Sequence, residues 1–329
     1  MAVQLPSEVA SHAGAILFYS FFCLASSFLL MWLVWVHKER TSYVAILASL
    51  TALSTLASTT QQINTIVNWK DVKTAQHANI VANVGNPELN ITGASIGLDL
   101  PLFYIQYYTY SAESMMVLFW AVELAYSVFQ LRRTKYHNLP LGLIAKATGI
   151  LLPVIQMTVL RTSAAQSSTV GFMILADIII IGSFFLGCIL MLAILVKYIR
   201  SRSALLSWNV PYGQSSTAGT HEPPTPHSLS GPTRLRRKNI YDNWLVVRFT
   251  IAFVALGLFQ LVVFFFQLRA ANSNNKANIP EKPDLSASKA KTDFVLFVPG
   301  VSGSLLIFIV FGTTRTFREY MLNAFVPRP

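Results

Sequence analysis

Charge is scarce in this chain: only 12% of its 329 residues are Asp, Glu, Lys or Arg, about half the roughly 25% of a soluble domain. So little charge cannot cover a water-facing surface, and 53% of the residues are hydrophobic, so much of the surface must face lipid. Cysteine is nearly missing. Cys23 and Cys188 both lie inside apolar runs, where a buried membrane thiol is the expected role. With no cysteine in a loop there is no loop disulfide and no Cys/His metal motif. The six histidines (His12, His37, His77, His137, His221 and His227) fall in predicted loops and never cluster at ligand spacing. No Gly-rich phosphate loop, Asp-rich diphosphate motif or nucleophile–base constellation occurs. These absences point to neither a metal nor a cofactor.

The net charge is +11. The basic residues sit in short clusters between apolar runs, which suits anionic headgroups on a cytoplasmic leaflet rather than nucleic acid. The bilayer is therefore the first expected partner.

About 20 mostly apolar residues cross a membrane as a helix. Candidate spans are 14–36, 43–67, 101–130, 140–160, 168–196, 243–267 and 292–314. The predicted fold is all-α, a seven-transmembrane helix bundle in one domain. The second span is the weakest, because Ser58, Thr59, Thr60, Gln61, Gln62 and Asn64 make its far end polar, yet it closes at Trp69, an interfacial residue type. The leader from Met1 to His12 has no Lys or Arg, so the first span reads as a retained helix and not a cleaved signal. With the N-terminus outside, the inner segments hold fifteen Lys and Arg residues against eight in the outer ones. The positive-inside rule therefore puts the N-terminus outside and the C-terminus in the cytosol. The sequon at Asn90 falls in the first long outer loop and marks Asn90 as a candidate glycosylation site. The expected location is the plasma membrane, with the endoplasmic reticulum as the alternative.

Residues 201–241 form the third cytoplasmic loop. Its centre, Gly213 to Pro232, is rich in Ser, Thr, Pro and Gly, a composition expected to be disordered. The basic run Arg234 to Lys238 follows it. Residues 315–329 make a cytosolic tail, in which Phe317, Tyr320, Met321, Ala324 and Phe325 recur at helical spacing. That pattern predicts a short amphipathic helix on the membrane surface, ended by Pro327.

Ionisable residues inside a membrane are costly and serve as pointers to function. Glu123 lies about eight residues from the cytosolic end of its span, roughly 12 Å at the helical rise. Lys146 stands level with it on the next span, and Arg248 enters span six at similar depth. These three form a candidate intramembrane ion pair or staple. Nearer the middle, Gln106, Tyr110 and Glu113 follow i, i+4, i+7 spacing and share one helix face. Gln61 and Gln62 on span two and Asp177 on span five reach a similar depth. Together they are the candidate ligand-binding residues. Tyr104, Tyr107 and Tyr108 fit either that pocket or an interfacial aromatic belt. In span seven, Pro299 and the small residues of VPGVSGS (298–304) allow a kink or close packing.

Seven spans, an outer N-terminus, a long third inner loop and an amphipathic tail helix together resemble the G-protein-coupled receptor architecture. The region from YDNWLVVRFT (241–250) through FGTTRTFREY (311–320) resembles seven-helix, receptor-like membrane proteins of filamentous fungi. The resemblance implies a small-ligand sensor that signals through its cytoplasmic loops, with a heterotrimeric G protein as partner. Several motifs depart from the rhodopsin type. Span three ends in QLRRT (130–134) in place of acidic–Arg–Tyr, the Asn-Pro-x-x-Tyr motif is absent, and 294–314 holds no lysine for retinal. The alternative reading is a membrane-embedded enzyme, a terpenoid-type cyclase or isomerase in which Glu113, Glu123 or Asp177 protonates a lipophilic substrate. A lipid or metabolite transporter comes third, disfavoured by the lack of an internal repeat.

Overall fold

Backbone groups inside a bilayer must be satisfied without water, and long apolar runs meet that demand as helices. The computed structural model describes residues 3–129, 141–207 and 280–313, with Ile251, Val254, Gly257 and Tyr320 as isolated positions. All regular elements among the described residues are helical. They are α1 (Ser7–Val36), α2 (Tyr43–Val67), α3 (Trp69–Ala82), α4 (Glu88–Thr92), α5 (Asp99–Val128), α6 (Leu141–Leu160), α7 (Ser163–Gln166), α8 (Thr169–Ser207), α9 (Ala287–Val295) and α10 (Phe297–Ile307). A π-helical turn, Phe308–Gly312, continues α10.

Five of these segments are long and apolar enough to cross a membrane: Ser7–Val36, Tyr43–Val67, Gly142–Leu160, Thr169–Lys197 and Ala287–Gly312. Their outward faces are bare hydrocarbon and aromatic rings, with Phe18 on α1 76% exposed, Leu143 on α6 66% and Phe185 on α8 64%. Apolar surface on that scale is stable only against lipid. The chain is an integral membrane protein. The expected sixth span, Arg248 and most of 201–241 and 315–329 lie outside the described residues.

Local chemistry sets several boundaries. Ser42 caps α2, its hydroxyl accepting from the Ala45 amide at 3.1 Å, and Ser286 caps α9 through the Lys289 amide at 3.2 Å. α4 ends at Gly93, whose φ of +59° is the left-handed turn that glycine adopts without strain. Pro299 sits in the first turn of α10, just after the break at Leu296, where its missing N–H leaves no hydrogen bond unmade within the helix. Pro153 lies inside α6, where it withdraws a donor from the Gly149 carbonyl one turn back.

Some helices are longer or newer than the hydropathy implied. α1 starts at Ser7, before the apolar run at 14, with Glu8 favourably placed in its first turn, so His12 is helical. The stretch between the second and third spans holds α3 and α4, which puts His77 on a helix. α8 runs on to Ser207, so 201–207 are helical and not loop.

α2 and α5 form the centre. α2 packs on α1, α5 and α10, while α5 packs on α2, α6 and α8. At one end a cap of three pieces closes over the bundle. Gln4 and Asp71 exchange two hydrogen bonds, Gln4 Nε2 to Asp71 Oδ2 at 2.6 Å and the Asp71 amide to Gln4 Oε1 at 3.1 Å. Lys73 of α3 pairs with Asp293 of α9 at 2.7 Å and lies over the Trp69 ring. Trp69 is fully buried among Leu5, Val9, Ala13, Ala290 and Phe294, its ring stacked 6.2 Å from that of Phe294.

The cap is expected to fail with its tryptophan. Trp69→Ala should cost about 3–5 kcal/mol, read as a lower melting temperature of the detergent-solubilised protein. Trp69→Phe should cost far less, because it also removes an indole N–H that has no acceptor among the described residues.

Candidate functional site

The i, i+4, i+7 face of α5 points at α2. Gln106 Nε2 donates to Gln61 Oε1 at 2.9 Å. Two turns on, the Ser54 hydroxyl is 3.5 Å from Glu113 Oε1, a long contact at the limit of a hydrogen bond. Tyr110 stands one turn before Glu113 and reaches α10. A Cβ on Gly300 would lie 2.5 Å from the Tyr110 hydroxyl, so the phenol occupies the space that any other residue at 300 would fill. Glu113 and Tyr110 are near neighbours in the protein interior, each largely enclosed. No Lys or Arg among the described residues lies within 4 Å of the Glu113 carboxylate.

Around this pair runs a buried polar seam joining α1, α2 and α10. Gln62 is held by Ser20, donating to its hydroxyl at 2.9 Å and accepting from it at 3.0 Å. Tyr19 shares a 2.8 Å hydrogen bond with Ser302. Thr55 and Ser304 are also hydrogen-bonded, and Ser304 donates to the Thr51 carbonyl at 3.3 Å. Gln62 is thus a structural tie between α1 and α2, while Gln61 belongs to the α5 face. Ser20, Ser54, Thr55, Ser302, Ser304 and Gly300 were not among the expected site residues. Their signal was present in the sequence: Thr51, Ser54, Thr55, Ser58 and Gln62 recur at three- and four-residue steps and share one face of α2.

Asp177 lies elsewhere. Tyr107 donates to the Ala176 carbonyl at 2.7 Å, and Asp177 is near enough to act on that phenol electrostatically. Gln156 of α6 donates to the carbonyls of Leu175 and Ala176, each at 2.7 Å. Six helical steps separate Tyr107 from Glu113, about 120° round the helix. Glu113 therefore faces α2, and Asp177 belongs to a second polar cluster between α5, α6 and α8.

Among the three expected staple residues, Lys146 donates to the Thr41 carbonyl at 2.6 Å and lies over the Tyr43 ring. Glu123 reaches toward Gly142, where a Cβ would be 3.1 Å from its Oε1, and stands beside the Tyr43 hydroxyl. Tyr43 is thus the shared neighbour, and no ion pair within 4 Å joins Glu123 to Lys146. Arg248 is outside the described residues. Asn90 is only 3% exposed within α4, so a glycan on its amide requires that short helix to open. Tyr104 donates to Glu88, and Arg161 lies over the Tyr104 ring. Tyr108 donates to the Ile150 carbonyl at 3.3 Å. Among the described residues no group of three or more His, Cys, Asp or Glu could hold a metal ion.

Chemically, the arrangement offers one carboxylate and one phenol, flanked by hydroxyls and an amide pair, deep within an apolar bundle. A buried carboxylate short of partners is unstable as an anion unless a cation or water reaches it. No protein-family model matches the chain, and no curated protein is significantly similar to it.

The Gly300–Tyr110 contact yields a direct test. Gly300→Ala should destabilise the detergent-solubilised protein by about 1–3 kcal/mol through overpacking. The double variant Gly300→Ala/Tyr110→Phe, which removes the colliding hydroxyl, should recover most of that loss in thermal melts.

Proposed function

We propose that the chain is a receptor-like seven-transmembrane protein that senses a small ligand and signals through its cytoplasmic loops. The observation that carries this reading is the Glu113 carboxylate, with one long contact to Ser54 and no cation beside it among the described residues. A group so placed suits an occupant that brings its own polar or charged partner. Tyr110 supplies a second polar contact and a link to α10. The ligand then sits between α2, α5 and α10, the second, third and seventh spans of the proposed topology.

The orientation rests on charge: the N-terminus outside, the Lys- and Arg-rich segments in the cytosol. In that arrangement the Asp99 end of α5 and the cap over Trp69 face outward. The third inner loop, with its basic run Arg234 to Lys238, is the natural contact for a heterotrimeric G protein. The fungal receptor-like resemblance agrees with this reading, and the plasma membrane is the corresponding location. In the alternative, a terpenoid-type cyclase or isomerase, Glu113, Glu123 or Asp177 acts singly as the proton donor, and Asp177 lies by Tyr107 and Ala176, in a cluster apart from Glu113.

The test pairs two variants in the native host. Deleting Gly213–Pro232 is expected to abolish the phenotype while extractable metabolites stay unchanged. Glu113→Gln should weaken ligand binding at least tenfold, about 1.4 kcal/mol, measured on the purified full-length protein once a thermal-shift screen has found a ligand. If instead Glu113→Gln makes a lipophilic precursor accumulate and the deletion is silent, the protein is an enzyme.

A further inference from the structure

Away from Glu113, a second polar group lacks the partner that its burial calls for. Gln156 of α6 is only 5% exposed. Its amide nitrogen donates to the Leu175 and Ala176 carbonyls of α8, and its Oε1 accepts from no donor among the described residues. Buried acceptors are nearly always matched by a donor, so an unmatched one points to an occupant. The Tyr107 hydroxyl donates to the same Ala176 oxygen, which sets Gln156 and Tyr107 side by side. A narrow cleft begins there. The rings of Phe103, Tyr104, Tyr107 and Phe172, with Met157 and Leu160, make its walls, and it encloses about 330 Å³ counting the part open to solvent. Phe103 is stacked on Tyr107, centroids 6.1 Å apart, and edge-on to Tyr104 at 5.5 Å. Gln156 adjoins Met157 and lies one turn from Leu160, farther from the mouth than either. At the mouth Glu88 and Arg161 offset one another at 3.8 Å. Arg161, its side chain 59% exposed and lying over the Tyr104 ring, is the movable side.

We propose that this cleft is a second binding site, for a small neutral molecule with one aromatic ring and one hydroxyl. The ring lies between the aromatic walls, and the hydroxyl donates to Gln156 Oε1. The inference is independent of the reading of Glu113. The occupant must bring a donor, because the unmatched atom is an acceptor and the wall hydroxyls are already spent, Tyr104 on Glu88 and Tyr107 on Ala176. It needs no charge, because the two charges at the mouth face each other and Asp177, beside Tyr107, is not part of the lining. The walls are nearly all apolar, which suits a ring. A tie between α6 and α8 alone would need neither the cleft nor the spare oxygen. Val159 and Val170, which flank the lining on α6 and α8, are exposed on the lipid-facing surface. A molecule of this kind therefore reaches the cleft from the bilayer.

The test uses the full-length chain with Cys23→Ser and Cys188→Ala, in lipid nanodiscs. A single cysteine is placed in the cleft by Met157→Cys, and a reference one on the bare face of α8 by Val170→Cys. Each is modified with methyl methanethiosulfonate while benzyl alcohol, or toluene as its donor-free match, is titrated in. Benzyl alcohol should protect Met157→Cys saturably and leave Val170→Cys unprotected. Toluene should need a roughly tenfold higher concentration in the membrane for half-protection, the worth of one neutral hydrogen bond. Adding Gln156→Leu should bring the two compounds level. Equal protection by both compounds in the parent overturns the proposal, and so does protection of Val170→Cys to the same degree. A cleft that holds water alone would show no saturable protection, which also overturns it. If Gln156→Leu does not fold, the comparison of the two compounds in the parent still decides. A preference that survives in a folded Gln156→Leu removes the amide as acceptor and overturns the assignment.

Discussion

A polar side chain turned toward lipid loses its hydrogen bonds at a cost of several kcal/mol, and α2 carries Thr51, Ser54, Thr55, Ser58, Gln61, Gln62 and Asn64 within three and a half turns or so. No orientation hides all of these on one neighbour. The fold surrounds the helix instead. Gln61, Ser54 and Asn64 turn to α5, Gln62 and Thr51 to α1, and Thr55 to α10. The least apolar of the five membrane-crossing segments is accordingly the most enclosed, and the most apolar, along α8, lies largely bare to lipid. Each interhelical hydrogen bond of this kind contributes only about 0.6 kcal/mol on average. Their main effect is to forbid the arrangements in which these groups would face hydrocarbon.

That constraint fixes α5 in turn. With one face committed to α2, the stripe about a third of a turn away meets α8 through Tyr107 and Ala176. α6 then closes against α5 where Gly149 admits the Met116 side chain. Glu113 and Asp177 end up in different compartments for this reason. A carboxylate pair at one centre would require α5 to present both faces to the same cavity, which a straight helix between two packed neighbours does not do.

Much of the bundle was legible in the sequence, and the failures are as physical as the successes. Hydropathy marks the helix over 43–67, and the i, i+4, i+7 stripe of Gln106, Tyr110 and Glu113 can be read directly as one face. Register between helices and rotation about their axes were not readable. Tyr107 meets Ala176 and Met115 meets Ser183, so Asp177 stands level with the Tyr107 turn of α5 and not with Glu113. Glu123 meets Gly142, about one turn from Lys146, and Lys146 found the Thr41 carbonyl and the Tyr43 ring, partners that no charge-pairing argument proposes. The helices α3 and α4 escaped notice because their stability comes from tertiary contacts. Trp69 is buried by residues from Leu5 to Phe294, a separation of nearly the whole chain. Ser302, Ser304 and Gly300 read only as small residues until the facing helices were known.

Small residues on α10 bind the site to the rest of the bundle. Gly300 leaves room for one atom group, and the Tyr110 hydroxyl fills it. Two residues on, Ser302 is tied to Tyr19 of α1, and two further on, Ser304 is tied to Thr55 of α2. Below these contacts the helix widens into the π-helical turn at Phe308–Gly312, where Phe311 meets Trp120 of α5. Tyr110 therefore cannot shift toward α10 without displacing a helix that three others hold. It cannot shift away without opening the space over Gly300, and a void in a close-packed interior costs contacts on every side. An occupant at Glu113 that repositions this phenol must repartition the contacts of α1, α2 and α10 together. That coupling follows from packing alone, and it makes the glycine at 300 as much a part of the site as the carboxylate it never touches.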